Sequence, residues 1–270
     1  MSNFEKEYYE SPDFWDNGMI EDHANIERIK KTAQLIPDDV HSLVDIGCGN
    51  GVFLNYLINL RPTLDLTGIE RSAAALKHVK TKKSIGDISN LSFLDRSIDC
   101  VTCLEVIEHL PLPIYKHSLN ELARVADKYI IVSVPYNEKL ENSYTKCPSC
   151  KSIFNSDLHL RSFIDRDIFS LFDDYGFKNI AIEKLGEISE FKGHEQYRKI
   201  FYPEQILSWN SPICPICGFV TSKNREQNIL VQNKQLSKRS FISYFSALPK
   251  MIWPKDKRYY WIIGVYMRIS

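Results

Sequence analysis

The run Leu43-Val44-Asp45-Ile46-Gly47-Cys48-Gly49-Asn50-Gly51-Val52-Phe53-Leu54 constrains this chain more than any other stretch. Its first residues are a short apolar run, the pattern of a buried strand. Three glycines at alternating positions interrupt it. Val52, Phe53, Leu54, Tyr56, Leu57 and Ile58 then give the apolar face of a helix. The order is strand, glycine turn, helix. Glycine lets the backbone take positive φ and lets a ligand approach without meeting a Cβ. The exposed amides at the start of the following helix suit a carboxylate or a phosphate.

A glycine turn alone is not specific, because dinucleotide enzymes use a related G-x-G-x-x-G. Here the spacing is Asp45-x-Gly47-x-Gly49-x-Gly51, with an acid at the strand end. This resembles motif I of class I S-adenosylmethionine-dependent methyltransferases. The resemblance implies that the loop of Gly47, Cys48, Gly49 and Gly51 passes under the methionine part of the cofactor. It also implies that Asp45 orders the loop and holds the cofactor's amino group.

A second strand, Leu64-Asp65-Leu66-Thr67-Gly68-Ile69-Glu70, ends in an acid some twenty residues after the loop, followed by Arg71. A carboxylate there can accept two hydrogen bonds from a ribose diol. The resemblance agrees on Glu70. It assigns Asp87, in Ser84-Ile85-Gly86-Asp87-Ile88, to the adenine amino group and Ile88 to the ring. Residues 97–104 read as a fourth strand ending at Leu104, residues 115–125 as a helix and residues 129–135 as a fifth strand. A helix is expected over 165–175, a strand from 180 and another over 260–267. Strands alternating with helices at this spacing imply an α/β fold: a Rossmann-like parallel, mixed-edge sheet with helices on both faces. The resemblance covers roughly residues 40–185.

Cys147-Pro148-Ser149-Cys150 and Cys214-Pro215-Ile216-Cys217-Gly218 are two copies of one device. A C-x-x-C turn points two thiolates at one tetrahedral ion, so Cys147, Cys150, Cys214 and Cys217 are expected to form a closed structural zinc site. Cys48, Cys100 and Cys103 lie in apolar contexts and read as core.

The domain organisation follows. Residues 1–40 form an N-terminal helical lid, with a helix over 21–36 and Tyr8, Tyr9 and Trp15 as lid candidates. Residues 41–185 form the methyltransferase domain, which carries the first knuckle. Residues 186–235 hold the second knuckle and the completion of the sheet, and 236–270 an aromatic-basic tail. Apolar residues make up 44% of the 270, enough to fill a core. The formal net charge is zero, so long-range attraction to nucleic acid is not built into the whole molecule. No secretory signal is evident and no apolar run reaches the roughly 18 residues of a membrane span, so a cytoplasmic protein is expected. The tail interleaves Lys and Arg with aromatics. That composition fits peripheral membrane contact, nucleic-acid binding or packing as a last strand.

Chemistry is expected from Glu105, Glu108 and His109, in Glu105-Val106-Ile107-Glu108-His109, with His159 in Asp157-Leu158-His159. The first three fall at i, i+3 and i+4, one face of a helical turn. The set is similar to Glu-x-x-Glu-His sites of ubiquinone-biosynthesis and small-RNA 2′-O-methyltransferases. It implies either a divalent ion such as magnesium gripping the acceptor's oxygens, or His109 or His159 as general base. The function expected is S-adenosylmethionine-dependent O-methylation of a small-molecule, glycan or lipid-linked acceptor. A small RNA as acceptor, and a non-enzymatic zinc-stabilised binding module, are the alternatives.

Overall fold

The computed structural model describes residues 9, 10, 15, 23–191, 209, 213–219 and 255–269. Tyr8 and the tail residues 236–254 lie outside the described residues.

Helix α1 (His23–Gln34) leads into β1 (Ser42–Ile46), the glycine turn and α2 (Val52–Leu60). Next come β2 (Asp65–Glu70), a single turn α3 (Ala73–Leu76), β3 (Lys82–Ile85) and β4 (Ile98–Leu104). Helix α4 (Leu112–Val125) feeds directly into β5 (Ala126–Pro135). The short strands β6 (Tyr144–Lys146) and β7 (Ile153–Asn155) pair only with each other. Helix α5 (Asp165–Phe169) precedes β8 (Phe177–Leu185). Strands β9 (Ile188–Phe191) and β10 (Lys255–Arg258) form a second antiparallel pair, and β11 (Trp261–Arg268) follows.

Seven strands make the main sheet in the order β3-β2-β1-β4-β5-β11-β8. The first five are parallel to one another. Strand β11 runs antiparallel between β5 and β8, one place in from the edge. The strand expected over 260–267 is therefore real, and it is interior. It also moves a boundary: among the described residues, the strand that completes the sheet comes from the aromatic-basic tail. Its aromatic and aliphatic side chains are consumed by packing, with Trp261, Ile262, Ile263, Val265 and Tyr266 buried.

The pleat sends alternate residues to two cores. Val44 and Ile46 of β1, Ile130, Val132 and Val134 of β5, and Ile262 and Tyr266 of β11 meet Leu119 and Leu122 of α4 and Ile168 of α5. On the other face Leu43, Ile131, Ile263 and Val265 meet Ile29 and Ala33 of α1 and Phe53, Leu54 and Leu57 of α2. The helix expected over 165–175 breaks after Phe169 and resumes as a 3-10 turn, Asp173–Tyr175. The break lets both Ile168 and Phe172 reach zero exposure while Phe169 points outward.

Gly264 makes room for one of the largest buried side chains. The Tyr266 ring folds back across it, and the Tyr266 hydroxyl donates to the Ile168 carbonyl. A Cβ at position 264 would meet the Tyr266 hydroxyl oxygen at 2.4 Å and the Ile168 side chain at 2.8 Å. Gly264→Ala is therefore expected to destabilise the fold by about 1–3 kcal/mol, the usual cost of overpacking a core. Urea unfolding checks this, and an unchanged midpoint would contradict the packing described.

Candidate functional site

The carboxyl ends of β1, β2, β4 and β5 open onto one cavity of about 660 Å³. In parallel sheets this end is where ligands bind.

The glycine loop forms its floor. Gly47 and Cys48 both donate backbone N–H to the Ile69 carbonyl, at 2.8 and 3.1 Å, which pins the loop to β2. Gly49 donates its N–H to Glu70 Oε2 at 3.0 Å. Glu70 Oε1 accepts from the amides of Arg71 and Ser72 at 2.8 and 3.0 Å. One carboxylate thus ties the strand end to the loop. Gly47, Gly49 and Gly51 all have positive φ. A Cβ on Gly49 would lie 3.0 Å from the Trp15 ring, so the loop and that tryptophan close on each other. Trp15 and Tyr9 border the cavity, as a lid would. Tyr9 is tied down by its carbonyl, which accepts from Trp15 Nε1 and Ser72 Oγ at 2.6 Å each.

Asp45 is buried and accepts from the Thr102 hydroxyl at 2.6 Å. Burial pushes its pKa up to about 7, against the opposing pull of Thr102 and of the Arg28 charge. Cys48 also borders the cavity, and burial pushes its thiol up, leaving it inert at neutral pH. Arg71, Asp87, Ile88 and Leu104 line the same space. Burial works to raise the Asp87 pKa, but hydrogen bonds from the Ser89 hydroxyl and amide outweigh it and keep the carboxylate charged. Gly51 is the one expected cofactor residue absent from the lining. It caps α2 instead, packed against Val79.

Across the cavity the chain leaves β4 through Glu105, which has a φ of 58°, and enters a 3-10 turn, Ile107–His109. The helical face expected to unite Glu105, Glu108 and His109 does not reach back to Glu105. Its oxygens accept from Ser133 Oγ at 2.8 Å and Trp261 Nε1 at 2.9 Å. Glu108, His109 and His159 do converge: one ligand atom from each lies within 4.8 Å of the others. Glu108 is fully buried and neither of its carboxyl oxygens has a hydrogen-bond partner. Burial and then the Glu105 charge push its pKa well up. Burial holds His109 down to about 3, so its imidazole is neutral. His159 Nδ1 lies 2.6 Å from Glu138 Oε2. Burial would lower the His159 pKa, but that contact and the Glu138 charge reverse the sign and raise it.

The loop that brings His159 begins at the end of β7. Asn155 Oδ1 accepts from the amides of Asp157 and His159 at 2.9 and 3.3 Å, and Leu160 donates to the Glu108 carbonyl at 2.9 Å. Leu158, between them, has a φ of 62°. Strained backbone at cavity-facing Glu105 and Leu158 is what a binding site holds in place at a cost of about 1–3 kcal/mol each.

Strands β6 and β7 form a ribbon that presents the first cysteine pair to the second. The Cys147–Cys217 and Cys150–Cys214 Sγ pairs are each 3.7 Å apart, and all four sulfurs lie within 4.8 Å. A tetrahedron with metal–sulfur bonds of about 2.3 Å has edges near 3.8 Å. The two knuckles repeat one geometry: Lys151 donates to the Cys147 carbonyl and Gly218 to the Cys214 carbonyl, both from positive φ. The donor set fits zinc. Trp209 packs edge-on to Phe154 and Phe219 beneath it.

Several cavity residues were missed in the sequence. Arg28 and Asn25 of α1 point into the space from a helix whose pattern announced only its apolar face. Trp261 comes from the far end of the chain, and Glu138, which touches the cavity residue His159 without lining the cavity itself, stands three residues beyond β5. Position just past a parallel strand was the one available signal, and it applied to Glu138 alone.

A family model described as a methyltransferase domain matches residues 20–182, more than half of the chain. An uncharacterised protein of Methanocaldococcus jannaschii is 30% identical over 130 residues, 45% of this chain and 52% of that protein. The chain therefore spans about half the length of the curated relative it matches. Among solved structures, a SAM-dependent methyltransferase from Archaeoglobus fulgidus has a TM-score of 0.52 at 15% identity, covering 98% of each chain. A putative methyltransferase from an antibiotic biosynthesis pathway of Anabaena variabilis has a TM-score of 0.52 at 16% identity, covering 90% of this chain and 97% of its own. At such identities the structural likeness speaks for the fold, and the family match speaks for the lineage. The chain belongs to the methyltransferase-domain family and has the fold of class I S-adenosylmethionine-dependent methyltransferases.

Proposed function

We propose that this protein transfers a methyl group from S-adenosylmethionine to a hydroxyl oxygen of a small-molecule, glycan or lipid-linked acceptor. The observation that carries this reading is the convergence of Glu108, His109 and His159 on the cavity that the glycine loop floors. Cofactor and acceptor chemistry then share one enclosed space.

The cofactor half fits its ligand. The lack of a side chain at Gly49, where a Cβ would crowd the Trp15 ring, keeps the loop open to a ligand passing beneath that ring. Asp45 offers a carboxylate to an ammonium, Glu70 offers remaining lone pairs to a diol, and Asp87 with Ile88 offers a charged acceptor beside an apolar surface. Bound there, S-adenosylmethionine supplies a methyl group on an electron-poor sulfonium. Trp15 and Tyr9 exclude water from above.

The acceptor half asks for positive charge or a proton. A buried carboxyl with two unpartnered oxygens is costly unless neutralised. Protonation satisfies it in the free protein, and a divalent cation would satisfy it with His109 and His159 as neighbours. Because Glu105 is occupied by Ser133 and Trp261, the set is one carboxylate and two imidazoles. Among the hard divalent ions manganese accepts imidazole nitrogen more readily than magnesium does, so it fits this set better than the magnesium expected from two carboxylates. A cation there would lower the pKa of an acceptor hydroxyl. The 2.6 Å contact between His159 and Glu138 favours a second reading, in which that pair removes the proton unaided.

The four cysteines hold a structural zinc in this proposal. No helix among the described residues is long and apolar enough to cross a membrane. The aromatics of β11 are buried, so any peripheral membrane contact would fall to residues 236–254, outside the described residues.

The decisive experiment compares extracts of cells with and without the gene by mass spectrometry. A metabolite that gains one methyl group only when the gene is present supports the proposal, and identical profiles count against it. With that acceptor in hand, Glu108→Ala and His159→Ala are expected to remove turnover while S-adenosylhomocysteine binding stays near wild type. Chelator should silence the enzyme and manganese restore it, and full activity in chelator would leave only the histidine-base reading. Cofactor affinity should also depend on pH through Asp45. Below about pH 7 its carboxyl is protonated in the free protein and must lose that proton to meet an ammonium. Affinity for S-adenosylhomocysteine is therefore expected to fall by up to about tenfold per pH unit on acidification below 7. Calorimetry across pH 5–8 checks the slope, which Asp45→Asn should flatten.

A further inference from the structure

The antiparallel pairs β8–β11 and β9–β10 are two lengths of one ribbon. The register that joins Trp261 of β11 to Leu185 of β8 runs on unshifted to Arg258 of β10 and Ile188 of β9. Between them the ladder is interrupted at Gly186 and Tyr260. Gly186 has a φ of 67°. The Tyr260 amide is shared between the Leu185 and Gly186 carbonyls at 2.9 and 3.1 Å, and the Tyr260 carbonyl accepts from the Tyr136 amide at 2.9 Å. The backbone of Tyr260 is therefore fixed on both sides. A Cβ on Gly186 would lie 3.0 Å from the Tyr260 Cβ and 3.1 Å from the Trp261 ring, so only glycine lets two consecutive aromatic residues sit at this kink.

Both aromatic residues border the cavity. Their rings form a corner, with 4.6 Å between centroids and 63° between planes. Trp261 is buried, whereas Tyr260 keeps 54% of its surface exposed. A large ring on rigid backbone at a cavity rim, left half in water, is a surface for something flat. Charge decides what that is. Six carboxyl groups and two guanidinium groups line the cavity, so an acceptor bearing phosphate or carboxylate meets net repulsion. The place of a cation is already filled, because the Arg28 guanidinium lies 5.6 Å from the centre of the Trp261 ring. An uncharged acceptor remains. Asp157 is exposed, its amide donates to Asn155 Oδ1 at 2.9 Å, and its carboxylate can only accept. Ser156 and the imidazoles of His109 and His159 add further acceptors to the same space. A phenol offers such a wall one or two hydroxyls. A sugar ring offers several around its edge, and its C–H face suits the negative face of an aromatic ring.

We infer that the acceptor is an uncharged sugar ring, seated in the corner of Tyr260 and Trp261 with its hydroxyls directed at Asp157 and the histidines. This names the acceptor class within the methyl-transfer reading above and rests on that reading. Tyr260 is then a specificity-determining residue, which touches the ring and not the reacting oxygen. Its exposed edge leaves the remainder of a longer glycan in solvent. A merely structural Tyr260 would stabilise the ribbon and would not choose among acceptors.

The test is saturation-transfer NMR on the full-length protein loaded with S-adenosylhomocysteine. The probes are methyl glycosides of neutral hexoses and deoxyhexoses, with glucose 6-phosphate as the anionic sugar, glucosamine as the cationic one and catechol as the flat phenol. Wild type should transfer saturation to the ring C–H protons of at least one neutral glycoside, and should bind it about tenfold or more tightly than the three comparators. Tyr260→Ala should weaken that glycoside by about three- to tenfold, the worth of one aromatic stacking pair. Tyr260→Phe should bind it as wild type does, and affinity for S-adenosylhomocysteine should be unchanged in both variants. A wild type that saturates no neutral glycoside, or that prefers the phosphate, the amine or catechol, overturns the inference even if Tyr260→Ala fails to fold. Equal glycoside affinity in wild type and Tyr260→Ala overturns the place assigned to the ring. A wild type that binds no S-adenosylhomocysteine rejects the methyl-transfer reading itself, and the inference falls with it.

Discussion

Strand β11 is the constraint on which the rest of this molecule depends. Without it β5 would present an open edge and β8 would have no sheet to join. Its backbone pairs with both neighbours over its whole length, and its side chains feed both cores. It also begins at the cavity: Trp261 donates to Glu105, and the Tyr260 carbonyl accepts from the Tyr136 amide. Residues remote in sequence from the glycine loop thus set the position of an acid at the end of β4. Folding of the sheet and assembly of the site are one event, dominated by a pairing of high sequence separation.

The cavity concentrates acids where a water-filled cleft would tolerate them but a closed one would not. Asp45, Glu70, Glu105 and Glu108 each resolve the conflict differently. Glu70 is satisfied by three backbone amides, Glu105 by a hydroxyl and an indole, Asp45 by one hydroxyl at the expense of a raised pKa, and Glu108 by no hydrogen bond among the described residues. The series runs from structural to waiting. A site whose acids are progressively less satisfied is arranged around positive charge that arrives with its ligands.

Much of this was legible in the residue order. The glycine spacing and the strand-end acids located one wall of the cavity, because a tight turn beside a buried strand leaves few alternatives for residues of that kind. The two C-x-x-C turns were legible for the same reason: a short covalent spacing dictates the local geometry. What escaped notice depended on the return of distant segments. Arg28 lies on a helix whose periodicity reports only its buried stripe. Glu138 and Asn155 have meaning only through His159. Glu105 was expected on a helical face with Glu108, but its positive φ starts the turn one residue later, and no local pattern distinguishes those outcomes. The tail was ambiguous because an interior strand and an interfacial aromatic stretch have the same composition, and only its neighbours β5 and β8 decide between them.

The ribbon that carries the first cysteine pair runs straight into the loop bearing His159. That loop is held against the turn after β4 by the Leu160 amide, by the Leu158 carbonyl beside His109 Nδ1, by the Glu138 contact and by the Arg161 guanidinium, which donates to the Ile107 and Leu110 carbonyls. The cofactor half has no such dependence, since its loop is pinned to β2 by Ile69 and Glu70. The molecule is therefore unevenly exposed to its surroundings. Oxidation of the thiols, or scarcity of the metal they fit, would loosen the acceptor wall and leave the cofactor floor standing. Under the function proposed above, a cell in those conditions would carry a protein that still holds its methyl donor and no longer spends it.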